Sequence, residues 1–185
     1  MSRTVRILDF DIENRPLSYL GQDYTTAEIT AIACCWDGQL KSVACWLLGS
    51  DEPKDMLEGF RKLYDAADMV TGHYIRAHDL PIINGSMIEY GLPPLGDKLT
   101  CDTKLDLVSH GGAISASQEN LCAMFGLTQP KIHMNSTLWR EANRLTDKGL
   151  KLTAKRAIGD VVQHMALRRV LAERGLLGPP KVWRP

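Results

Sequence analysis

The sequence predicts an α/β fold: a mixed central sheet whose first three strands run antiparallel, flanked by helices. Three observations carry this. The chain opens with three β-rich runs, and the second and third are joined by Asp37-Gly38, a hairpin signal. Beyond residue 50, short apolar runs alternate with segments of 3–4 spacing, as when strands alternate with helices. The composition, 44% hydrophobic and 24% charged over 185 residues, suits a packed core and excludes disordered and fibrous classes.

Residues 3–12 are the first expected strand. Val5, Ile7, Leu8, Phe10 and Ile12 put apolar groups on both faces, as in a covered central strand. Pro16 and Gly21 break the chain, and residues 29–36 and 41–48 supply the next two strands. Ser50-Asp51-Glu52-Pro53 marks a helix start, with proline in the first turn. Met56, Leu57, Phe60 and Leu63 then form the apolar stripe of a helix over 53–66. A short strand is expected at 68–72, a helix at 79–90 closed by Gly91, and a strand ending at Leu99–Thr103. Residues 117–125 and 146–174 read as helices. From Gly175 onward, Gly178, Pro179, Pro180 and Pro185 predict an irregular tail. The expected organisation is one domain over 1–174 and a tail over 175–185.

Twenty-two basic residues balance 22 acidic ones. That argues against a uniformly basic coat protein or an acidic tail, but local patches still act on nucleic acid. Five cysteines, an odd number without CxxC spacing, fit thiols in a reducing cytoplasm. No apolar run approaches the ~18 residues of a membrane span. The N-terminus, MSRTVRILDFD, meets a charge too soon for a signal peptide. A cytoplasmic location without a membrane partner is expected.

The chemistry-bearing residues fall in three places. Asp9, Asp11 and Glu13 alternate along the first strand and share one face. Neighbouring carboxylates there lie about 7 Å apart and repel by about 2 kcal/mol at an effective dielectric of ~20. A hard divalent cation would relieve that, although acids also occur on solvated strand ends. Gly72-His73-Tyr74-Ile75-Arg76-Ala77-His78-Asp79-Leu80-Pro81 follows a strand and opens a helix, where Asp79 also reads as a cap. In Lys155-Arg156-Ala157-Ile158-Gly159-Asp160-Val161, Asp160 lies in line with Leu167 and Leu171, nearly opposite a face of Ile158, Val162 and Met165. A covered carboxylate needs a metal or a partner, and Arg156, one turn earlier, suits a salt bridge to it.

The order of these motifs resembles the DEDD (DnaQ-like) superfamily of 3′–5′ exonucleases, to which the proofreading domains of DNA polymerases belong. Phe10-Asp11-Ile12-Glu13 is similar to the first motif of that family. Gly72, His73 and Asp79 are similar to its GHN-x₄-D pattern, and Asp160 stands where its last acid does on a C-terminal helix. Asp102-Thr103 resembles a recurring DT after the fourth strand. The resemblance spans residues 5–172 and implies a ribonuclease H-like three-layer fold. It further implies that Asp11, Glu13, Asp79 and Asp160 hold two Mg²⁺ or Mn²⁺ ions about 4 Å apart. One ion activates a water and the other stabilises the leaving 3′ oxygen, which releases nucleoside 5′-monophosphates. Single-stranded DNA 3′ ends are the favoured substrate, and RNA ends make the chain an exoribonuclease of the same fold. A homodimer or a replication-protein partner is compatible with that setting.

The sequence departs from the family where a general base is usual, a Tyr four or a His five residues before the last Asp. Those positions hold Arg156 and Lys155, neither of which readily gives up its proton. Tyr74 replaces the usual Asn of the second motif. His164, one turn after Asp160, is the leading substitute base, with His78 and His110 as further candidates. Activation of a metal-bound water without a protein base is the alternative. Arg15, Tyr74, Lys155 and Arg156 are the candidate substrate-binding residues, with Tyr19, Tyr24, Trp139, Arg140, Lys148, Lys151, Lys181, Trp183 and Arg184 as further cationic or aromatic contacts. The missing base leaves a second reading open: a weakened module that binds 3′ ends or a replication partner.

Overall fold

The computed structural model describes residues 4–16, 27–108, 112–127 and 132–185. Among them, six strands form one mixed sheet: β1 (Ile7–Pro16), β2 (Ala27–Trp36), β3 (Ala44–Leu47), β4 (Met69–Gly72), β5 (Lys98–Asp102) and β6 (Lys181–Trp183). Their spatial order is β3-β2-β1-β4-β5-β6. The pairs β1–β2 and β2–β3 are antiparallel, β1–β4 and β4–β5 are parallel, and β5–β6 is antiparallel. Among the described residues, five helices pack around the sheet: α1 (Pro53–Ala66), α2 (Asp79–Glu89), α3 (Gln118–Met124), α4 (Ser136–Asn143) and α5 (Asp147–Glu173).

Alternation along β1 builds the layers. Leu8, Phe10 and Ile12 point into the main core with Phe60 and Tyr64 of α1 and Leu80, Ile83 and Met87 of α2. The opposite face of the sheet meets α5, where Ala31, Ala33 and Cys35 of β2 pack on Ala157, Val161 and Met165. Small β2 residues let the 27-residue helix lie close to the sheet. Leu167 and Leu171 of α5 continue into a third cluster with Leu121 and Cys122 of α3. This is the ribonuclease H-like three-layer α/β arrangement that the sequence predicts.

Several expectations shift in detail. The tail is not irregular throughout, because Lys181–Trp183 pairs with β5 and Trp183 joins the main core. Helix α4, unannounced by any long apolar stripe, is capped by the Asn135 side chain, which accepts from the Leu138 N–H at 2.9 Å. Tyr64, rather than Leu63, completes the buried stripe of α1. Glu52 occupies the cap of α1 without a side-chain bond, while Asp51 accepts the Leu47 N–H instead. On α5, Met165 is buried but Ile158 and Val162 are only half-buried, so the helix turns Ala157 and Val161 to the sheet. The five cysteines are thiols, four of them buried and Cys45 half-buried. No helix among the described residues is long and apolar enough to cross a membrane.

Candidate metal centre

The parallel partner β4 pairs with β1 only from Ile7 to Asp9 and leaves the sheet at Gly72. Beyond Asp9, β1 continues against β2 alone, so its other edge is open beside Asp11 and Glu13. Gly72 is obligatory at the exit, since a Cβ there would run into Ile75 and come within 2.7 Å of the Phe10 carbonyl oxygen. Two residues on, Tyr74 adopts φ 72°, a left-handed conformation that costs a non-glycine residue roughly 1 kcal/mol or more. Asp102 holds that turn. Its Oδ1 accepts the N–H groups of Tyr74, Lys104 and Leu105 at 2.9, 3.0 and 3.0 Å, and its Oδ2 accepts that of Arg76 at 3.0 Å. Arg76 in turn forms a fork with Asp106 at 2.8 and 2.6 Å.

That turn delivers Asp79 to the open edge of β1. His78 occupies the cap position of α2, and Asp79 is the first helical residue rather than the cap. Its Oδ1 accepts the Ile12 N–H at 3.1 Å, standing in for the strand partner that β4 no longer supplies. Burial drives the Asp79 carboxyl up to about 7, and the backbone hydrogen bond from Ile12 opposes the rise.

On the α5 side, a polar ladder on β1 faces one on α5, where residues 156, 160, 164 and 168 recur every turn. Asp9 is fully buried and meets His164 Nδ1 at 2.9 Å and Arg168 at 3.2 and 3.1 Å. Glu13 meets Arg156 Nε at 2.7 Å. Between these cationic rungs the ladder mismatches. Carboxylate oxygens of Asp11, Glu13 and Asp160 lie within 4.8 Å of one another. Each like-charged pair at that separation costs roughly 3 kcal/mol at an effective dielectric of about 20. Burial first, then Asp79, Glu13 and Asp160, hold the Asp11 carboxyl well above the usual carboxylate range, with Arg156 opposing. The half-buried Asp11 therefore sits at the rung with no matching cation opposite it on α5.

The sequence-derived site thus assembles around three of its four acids. Asp11, Glu13 and Asp160 converge, while Asp79 stands at their side, bound to the β1 backbone. The salt bridge from Arg156 to Asp160 is present at 3.1 Å. Arg156 is largely buried and touches both Glu13 and Asp160, so its guanidinium fills the space beside the acids. His164 departs from its expected place beside the carboxylates. Its Nδ1 donates to Asp9, and its Nε2 is 3.1 Å from Thr103 Oγ1, so both ring nitrogens are engaged inside the fold. Thr103 also bonds His73 Nδ1 at 3.0 Å, and burial holds His73 down to about 4.

The candidate substrate contacts divide. Arg15 is tied to Glu28 at 2.5 Å and to the Asn143 carbonyl at 2.7 Å, which makes it a brace between β1, β2 and α4. Tyr74 is exposed at the turn, with Lys104 Nζ 3.9 Å from its ring centroid. Lys155 is exposed on α5. His78 Nε2 lies 3.1 Å from Asn14 Oδ1 at the rim. Tyr19, Tyr24 and His110 lie outside the described residues. Sequence reasoning missed the roles of Asp9, Arg168 and Asp106. The recurrence of Arg156, Asp160, His164 and Arg168 at i+4 along α5 is the signal that marks Arg168.

No family model matches this chain, and no curated protein matches it. Among solved structures, it is similar to the family B DNA polymerase from the hyperthermophilic archaeon Pyrobaculum calidifontis, with a TM-score of 0.66 and 14% identity. The likeness covers 92% of this chain and 25% of that polymerase chain. The chain thus spans about a quarter of the protein whose fold it shares.

Proposed function

We propose that the chain is a metal-dependent 3′–5′ exonuclease that shortens single-stranded nucleic acid, DNA in preference to RNA, and releases nucleoside 5′-monophosphates. The carrying observation is the convergence of Asp11, Glu13 and Asp160 within 4.8 Å at the open edge of β1. The motif order and the fold shared with part of a DNA polymerase point the same way. The donor set is all carboxylate oxygen, which suits Mg²⁺ or Mn²⁺ over softer ions. Asp11, Glu13 and Asp160 would hold such an ion, and Asp79 would hold a second through its remaining oxygen. Bound there, a divalent ion supplies an ionised water at neutral pH and neutralises phosphate charge.

The protein's own residues set the stage. Asp102, Arg76 and Asp106 fix the turn that presents Tyr74 and Asp79. Asp9, His164 and Arg168 lock α5 against β1, which holds Asp160 opposite Asp11. Tyr74 and Lys104 offer a ring and a cation to the 3′-terminal nucleotide. His164 is assigned to positioning, not to proton transfer.

A second reading has its own observation. Arg156 already pairs with Glu13 and Asp160, so the acids also suit a module that binds 3′ ends without efficient hydrolysis. Chromatography of products from single-stranded DNA and RNA oligonucleotides in Mg²⁺, Mn²⁺ or EDTA separates the readings. Metal-dependent nucleoside 5′-monophosphates support the exonuclease, and their ratio between the two sugars names the preference. Intact oligonucleotide in Mn²⁺ with retained binding supports the module.

A further inference from the structure

Building on the exonuclease reading, we propose that Arg156 is the resident counter-ion of the carboxylate site, and that a divalent ion enters by displacing it toward the cavity under Trp139. Arg156 Nε lies 2.7 Å from Glu13 Oε1, and its terminal nitrogen lies 3.1 Å from Asp160 Oδ2. Both acceptors belong to the three-carboxylate cluster. A guanidinium and a divalent ion on the same two carboxylates repel each other, and arginine cannot relieve this by losing a proton. It must move.

The structure offers a destination. Arg156 lines a cavity of about 190 Å³ together with Glu119, Ile132, His133, Met134 and Trp139. Its guanidinium carbon is already 5.4 Å from the Trp139 ring centroid, and another of its nitrogens donates to the Ile132 carbonyl at 3.1 Å. Glu119, exposed on α3 and 3.9 Å from His133, provides a second carboxylate at the cavity wall. The two arrangements are a cation bridging Glu13 and Asp160, and a cation against Trp139 and Glu119. Arg168 provides the contrast. It is a structural cation held by Asp9 and Asp37 at 3.1 and 2.9 Å, and neither acceptor belongs to the cluster.

Arg156 therefore lowers the affinity of the site for metal and keeps the metal-free fold from repelling itself apart. Calorimetric titration of Mn²⁺ into the full chain tests this, with wild type beside Arg156→Gln. The variant is expected to bind Mn²⁺ about tenfold more tightly, and its metal-free melting temperature is expected to fall below wild type and recover in Mn²⁺. Should the variant fold poorly, wild type itself carries the test: Mg²⁺ is expected to change tryptophan emission, and Trp139→Phe is expected to abolish the change. Equal or weaker Mn²⁺ binding in Arg156→Gln, or Mg²⁺ binding that leaves Trp139 emission untouched, overturns the proposal while the exonuclease reading stands. Absence of Mn²⁺ binding in both proteins removes both. Mn²⁺ binding by the variant alone supports the counter-ion role in its strongest form.

Discussion

A histidine one turn from a candidate metal ligand invites a catalytic role, but both of its ring nitrogens already have partners. His164 is closed in by Asp9 and Thr103, and its ring is a direct partner of a fully buried carboxylate. Replacing it with Ala is expected to destabilise the fold by roughly 2–3 kcal/mol, because Asp9 loses one of its partners. The pH profile of residual turnover over roughly pH 6–9 is expected to keep its shape, since no proton passes through the ring. Unchanged melting with lost turnover contradicts this. Residue identity on the β1 face was legible because strand alternation puts Asp11 and Glu13 together whatever surrounds them. The direction of a carboxylate was not. Asp79 sits at a helix start, as its position promises, yet its carboxylate also serves the backbone of β1.

At the scale of elements, the β1–α5 pairing sets the site. Charges match at Asp9 with Arg168 and at Glu13 with Arg156, and they clash at Asp11 with Asp160. Replacing Arg168 with Met leaves Asp9 with a single partner and is expected to cost roughly 3–5 kcal/mol, the range for breaking a buried ion pair. Chemical denaturation measures it, and a loss within about 0.5 kcal/mol of zero, as for an ordinary surface change, contradicts the ladder. The long helices and central strands were legible from their periods. Helix α4, eight residues long, and β6, three residues long among prolines, carry too little pattern to announce themselves. They form because tertiary partners exist: Trp183 enters the main core, and Gly149 at the start of α5 leaves room for the Glu141 carbonyl of α4.

For the whole molecule, the mismatched rung makes stability depend on pH and metal together. Asp79 is pushed up to about 7 and Asp11 well above its usual range, so the metal-free fold holds protons that the unfolded chain has released. Stability from these two groups therefore falls as pH rises from about 4 toward 7. His73, held down to about 4, acts in the opposite sense between that value and its unfolded value of about 6.5, but equally with and without metal. The Mn²⁺-induced rise in melting temperature is accordingly expected to be larger at about pH 8 than at about pH 5.5, because binding must first expel the protons. A rise independent of pH contradicts the carboxylates as the ligands. Fold class was legible because three motifs each sit in a distinct element and order those elements along the chain. The guanidinium among the acids was only half legible, as a partner for Asp160 but not for Glu13, since the second contact depends on how α5 crosses β1.

The central claim is that these acids cut nucleic acid from its 3′ end. Gel analysis of a 5′-labelled single-stranded oligonucleotide, beside Asp11→Ala and an EDTA control, tests it most directly. The expected result is a metal-dependent ladder that shortens progressively from the 3′ end and vanishes in both controls. A ladder that persists in Asp11→Ala, or cleavage that begins inside the strand, would contradict it.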